Sequence, residues 1–121
     1  MRRTPMLILA FVLLIGATSV AFAHAHLAKS LPANGSTVKV APGEITLWFT
    51  EALEPSFSTV EVVDGSGNRF DDGPAALDAA DKKILHVALK ALPAGSYKAV
   101  WRVVSVDSHH TEGNFSFKVG S

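Results

Sequence analysis

Cysteine is absent from the 121 residues, so the fold has neither a disulfide framework nor a thiolate with which to build a blue-copper site. Methionine is scarce as well, because the two present, Met1 and Met6, both lie at the extreme N-terminus. No charge of one sign dominates, with 11 Lys and Arg against 11 Asp and Glu. A nucleic-acid footprint would need a basic stripe, and there is none. The apolar run Met6–Ile15 falls short of the ~18 residues that a spanning helix needs. No phosphate-binding glycine loop, paired-carboxylate motif, internal repeat or linker is evident.

The first residues instead have the three parts of an export signal. Arg2 and Arg3 form a positive start, and Met6–Ile15 an apolar centre. Gly16, Ala17, Thr18 and Ser19 then lead to Ala21-Phe22-Ala23, an A-x-A cleavage site. Residues 1–23 are therefore expected to be a signal peptide and residues 24–121 one small, slightly acidic domain. With no apolar tail before Ser121, any membrane partner is expected to be a separate protein.

The remaining chain reads as short strands between turns. Glu44–Thr50 alternates, with Ile45, Leu47 and Phe49 on one face. Ser58–Asp64 is β-branched and ends at the turn Gly65-Ser66-Gly67. Lys83–Leu89 alternates again, with Leu85, Val87 and Leu89 inward and His86 outward, an exposed strand residue with no assigned role. Pro93-Ala94-Gly95 precedes Ser96–Val106, which is apolar on both sides and predicts a central strand covered on both faces. Phe115, Phe117 and Val119 form the inward face of a last strand. Asp71–Pro74 and the Ala-rich segment after it read as a surface loop, with weak helical character near residues 75–80. With an extended segment after residue 26, this predicts an all-β fold: a Greek-key sandwich of about seven strands.

Four of the five histidines fall at two places: His24 and His26 at the expected new N-terminus, and His109 and His110 in Asp107-Ser108-His109-His110. Without cysteine or mature methionine, the available metal donors are imidazole, carboxylate and amine. That set suits Cu(II), Ni(II) or Zn(II), with Cu(II) first in affinity. A terminal His24 would chelate through its α-amine and its ring Nδ1 together. Asp107 and His109 stand two apart, and in extended backbone would point to the same side, with His110 pointing away. Ser108 would then face away from His109, which argues against a hydrolase triad.

These residues also carry a family resemblance over nearly the whole expected mature chain. The opening His24-Ala25-His26-Leu27 with Ser30-Leu31-Pro32-Ala33-Asn34-Gly35-Ser36, the strand Leu47-Trp48-Phe49-Thr50-Glu51-Ala52-Leu53, the pair Ala94-Gly95-Ser96-Tyr97-Lys98 and Trp101-Arg102-Val103-Val104-Ser105, and the closing Asp107-Ser108-His109, Gly113 and Phe117-Lys118-Val119 together resemble the CopC family of periplasmic copper-binding proteins. The resemblance implies a seven-stranded Ig-like or cupredoxin-like sandwich. It also implies Cu(II) ligands His24 (amine and ring), Asp107 and His109, with Glu51 beside the metal as an outer partner at most. Two features depart from the family. The methionine-rich Cu(I) loop of some members is missing, which puts a second, soft-metal site in doubt. His26, third in the mature chain, is an additional or competing ligand if the free amine and backbone amides wrap the ion. A second A-x-A, Ala23-His24-Ala25, would expose His26 instead, but the match of Pro32 to the family's ninth position favours His24.

The function implied is periplasmic copper homeostasis or resistance by a monomeric, non-enzymatic binding module, through buffering or delivery to an inner-membrane copper transporter. No membrane association is expected after signal cleavage. The alternatives are a histidine-brace copper monooxygenase, where Asp107 would occupy the coordination space oxygen needs, and an Ig-like structural domain without metal.

Overall fold

The computed structural model describes residues 25–121. The expected signal peptide, residues 1–23, and His24 lie outside the described residues. Among the described residues eight strands form, most of them where alternation and β-branched runs place them: β1 Leu27–Leu31, β2 Ser36–Val38, β3 Glu44–Phe49, β4 Thr59–Asp64, β5 Ala76–Leu77, β6 Ile84–Ala88, β7 Gly95–Val104 and β8 His110–Val119. A 3-10 turn, Pro55–Phe57, precedes β4. Among the described residues no helix is long and apolar enough to cross a membrane.

The strands make two four-stranded sheets, ordered β1-β3-β6-β5 and β2-β8-β7-β4. This order follows the Ig-type sandwich. All neighbours are antiparallel except β2, which runs parallel to β8 with Ser36 opposite Phe117. The sheets bury the faces predicted for them: Ile45, Leu47 and Phe49 of β3, Leu85 and Val87 of β6, and Phe115, Phe117 and Val119 of β8. At the start of β7 the Tyr97 hydroxyl donates back to the carbonyl of Pro93, the tyrosine-corner contact of such sandwiches.

Three expectations are corrected. The sandwich has eight strands rather than about seven, because β2 and β5, of three and two residues, are too short to show a period. The Ala-rich segment contributes the edge strand β5, paired with β6, and no helix. Strand β7 is central, between β8 and β4, but only one face is covered. Tyr97, Ala99, Trp101 and Val103 are buried while Lys98 and Arg102 are exposed.

Candidate metal centre

The β7–β8 hairpin turns at one pole of the sandwich. Val104 pairs with His110, and three residues, 106–108, close the loop. The Ser108 N–H donates to the Ser105 carbonyl at 2.8 Å, and the Ser105 N–H to the His109 carbonyl at 3.0 Å. A three-residue hairpin of this kind needs its last residue in the left-handed region, and Ser108 has φ 73°. The segment is therefore a tight turn where extended backbone was expected. Asp107 and His109 still meet: His109 Nδ1 lies 3.1 Å from Asp107 Oδ1. The turn brings them together, and strand parity does not. His110, the first residue of β8, is exposed.

Ser105 organises this loop from beneath. It is 1% exposed, its hydroxyl donates to Asp107 Oδ1, and its oxygen accepts the His109 N–H at 3.3 Å. The Ser105 hydrogen bond, then the neighbouring His109, hold the Asp107 carboxyl below its ordinary range. Asp107 thus stays an anion into mild acid, the form a metal requires.

The beginning of the described chain is tied to the same pole. Ala25 is fully buried, and its carbonyl accepts from the Thr111 hydroxyl at 2.7 Å. Thr111 follows His109 by two residues and shares its inward parity. The His26 N–H donates to Thr50 Oγ1 at 2.9 Å, and the His26 carbonyl accepts the Thr50 N–H at 2.9 Å. The His26 residue is exposed. Two residues beyond Thr50, the Ala52 carbonyl accepts the Val106 N–H at 3.0 Å. Glu51 therefore stands in the short bridge between the N-terminal segment and the Asp107 loop. It is half-buried and forms no ion pair with the described residues.

Among the described residues no group of three or more His, Cys, Asp and Glu could hold a metal. Asp107 and His109 bring two candidate donors together. His86, read as a plain exposed strand residue, is instead held on β6 in the other sheet, between β3 and the edge strand β5. Its Nε2 lies 2.7 Å from Asp78 Oδ1 and its Nδ1 3.2 Å from Thr46 Oγ1, with the Glu44 carboxylate 3.6 Å away. Sequence reasoning missed Ser105, Thr50 and Thr111. Ser105 alone left a signal, a small hydroxyl within the apolar run of residues 103–106.

Three known proteins show what this chain resembles. It is 32% identical over 121 residues to the copper transport protein CutJ of Bacillus subtilis, covering 99% of this chain but only 22% of CutJ. The crystal structure of CopC from Methylosinus trichosporium OB3b superposes with a TM-score of 0.75 at 29% identity, covering 80% of this chain and 94% of that one. The structure of PcoC, a methionine-rich copper resistance protein from Escherichia coli, gives a TM-score of 0.70 at 35% identity over 80% and 99% of the two chains. Residues 27–120 match the CopC domain, and the chain belongs to the CopC family.

Proposed function

We propose that this protein binds Cu(II) at the pole just described, after export to the periplasm and cleavage following Ala23, and that it serves copper homeostasis or resistance. The ligands in this reading are the amine and ring of His24, the Asp107 carboxylate and the His109 ring. The observation that carries it is the convergence of two elements. Thr111 ties Ala25 to β8 two residues from His109, and the His109 ring touches Asp107. His24 precedes Ala25 by one peptide unit, about 3.8 Å between α-carbons, so a terminal His24 has the reach to join them. The relatives named as copper transport and copper resistance proteins support the choice of metal. A nitrogen- and oxygen-rich set without sulfur supports Cu(II) over Cu(I).

In this reading the chain's own groups do three things. The amine and imidazoles bind only when deprotonated, so uptake releases protons and weakens in acid. The carboxylate offsets part of the ionic charge, and Ser105 orients it. Glu51 stands at the rim as an outer partner. Copper is the cargo of a binding module, and buffering or delivery to a separate inner-membrane copper transporter is the role this suits. CutJ, of which this chain spans about a fifth, supports such a pairing of a CopC-like part with a transport protein.

The test is Cu(II) titration of the exported chain beginning at His24, with His24→Ala, Asp107→Ala and His109→Ala beside it. A type 2 Cu(II) signal with nitrogen couplings is expected, and each variant should lose affinity at least about tenfold, equivalent to about 1.4 kcal/mol. Unchanged affinity in the His109 and Asp107 variants would rule the site out. Sustained ascorbate-driven peroxide production at an oxidase rate would overturn the non-enzymatic reading.

A further inference from the structure

The segment His24-Ala25-His26 offers Cu(II) two mutually exclusive sets of nitrogens. One uses the amine and ring of His24 and leaves positions for Asp107 and His109. The other wraps the ion within three residues: the amine, the backbone nitrogens of Ala25 and His26, and the His26 ring. This wrap releases two backbone protons to solvent and needs no folded partner. It does require both backbone nitrogens to turn toward one ion.

The fold commits the Ala25–His26 peptide unit, and with it one of the two nitrogens, elsewhere. The His26 N–H donates to the Thr50 hydroxyl at 2.9 Å. The His26 carbonyl accepts from the Thr50 N–H, also at 2.9 Å, which closes a two-bond pair at the end of β3. Ala25 is fully buried, and its carbonyl is held by the Thr111 hydroxyl at 2.7 Å. Wrapping copper would break the His26–Thr50 bond, leave the Thr50 hydroxyl without that donor, and pull a buried alanine out of the core. Each of these opposes the wrap.

We propose that Thr50 and Thr111 are positioning residues that hold the Ala25–His26 peptide unit by its N–H and its carbonyl and so withhold the His26 backbone nitrogen from copper, and that the folded chain therefore presents its terminus to Asp107 and His109 instead of wrapping the ion with His26. The proposal rests on the Cu(II) site proposed above, and it assigns the choice between two coordination modes to two threonine hydroxyls, one from each sheet. His26 then has a main-chain role in the fold and none in the metal's inner shell.

The test compares the Cu(II)-loaded exported chain with Thr50→Val, Thr111→Val, Thr50→Ser and His26→Ala by electron paramagnetic resonance and visible circular dichroism. Backbone amide exchange is measured on the metal-free wild type. The wild-type spectrum should be insensitive to His26→Ala, and the His26 amide should exchange slowly. In Thr50→Val a four-nitrogen species should gain about three- to tenfold in its share, the worth of one net hydrogen bond. Adding His26→Ala should remove that species, and Thr50→Ser should keep the wild-type spectrum. Thr111→Val should move in the same direction.

A wild-type spectrum that already depends on His26 overturns the proposal. So does a folded Thr50→Val with an unchanged spectrum, or a His26 amide that exchanges without protection. If Thr50→Val fails to fold, the wild-type exchange rate and the His26→Ala spectrum still decide. Dependence on His26 together with Asp107 and His109 defeats this proposal alone. Dependence on His26 with indifference to Asp107 and His109 defeats the site itself.

Discussion

Ser105 is 1% exposed in the apolar run Val103-Val104-Ser105-Val106, and its hydroxyl serves both Asp107 and the His109 backbone. Removing that hydroxyl in Ser105→Ala should let the Asp107 carboxyl rise toward its ordinary range, since the Ser105 hydrogen bond is the largest cause of its depression. The loss of stability should be about 1 kcal/mol. Carboxyl-carbon NMR across acid pH reads the first effect and urea unfolding the second; an unmoved titration would show that Ser105 does not orient the carboxylate. A second carboxylate contributes to the acid sensitivity of the fold. Asp71 accepts the Arg69 Nε and Nη2 at 2.8 and 2.6 Å and the Val62 N–H at 3.0 Å. Arg69, foremost, pulls its pKa from 3.8 down to about 2. Because the folded value lies below the unfolded one, the stabilisation is complete above about pH 4 and is lost as pH falls toward 2. Asp71→Ala also leaves the buried Val62 N–H without its acceptor. It should cost about 1–3 kcal/mol at neutral pH and flatten the stability profile between pH 4 and 2. A profile of wild-type steepness would place the acid sensitivity elsewhere.

At the scale of elements, the β7–β8 hairpin carries the two donors, and its packing depends on a residue with no side chain. Gly113 pairs with Trp101, and a Cβ there would stand 2.5 Å from Trp101 Cζ2 and 2.9 Å from Cε2. The indole has little freedom to give way. It meets Phe49 edge-on with centroids 5.2 Å apart, and its buried Nε1 has no hydrogen-bond partner among the described residues. Gly113→Ala should therefore destabilise by about 1–3 kcal/mol through overpacking, read as a lower urea midpoint. An unchanged midpoint would mean that the indole can shift at no cost. The same hairpin shows where pattern reading stops. The inward faces of β3, β6 and β8 were legible because each alternates over five or more residues. The turn at residues 105–109 was not, because a left-handed Ser108 leaves no mark in hydropathy. Asp107 and His109 were chosen as candidate donors for their chemistry, but the reason they meet is a loop conformation that the pattern does not carry.

For the whole molecule, the question is how two sheets come to share one site. Thr50 directly follows β3 of one sheet and Thr111 lies on β8 of the other, and each binds one of the first two described residues. The entering chain is thus clamped across the mouth of the sandwich. The candidate donors at both ends of the chain were legible in the sequence as clustered histidines. The approach of Ala25 to Thr111, beside Asp107 and His109, depends on the order in which the strands pair, which no local pattern encodes. The clamp has a consequence for processing. It acts on Ala25 and His26, so it holds whatever precedes them, and the fold should tolerate extra residues at the start. The proposed site should not. One residue placed before His24 turns its amine into an amide, removing a donor and a chelate ring while leaving every bond of residues 25 and 26 in place. A chain carrying one additional N-terminal glycine should unfold at the wild-type urea midpoint and bind Cu(II) at least about tenfold more weakly, equivalent to about 1.4 kcal/mol. Equal affinity would mean that the terminal amine is not a ligand and that export serves only to deliver the protein.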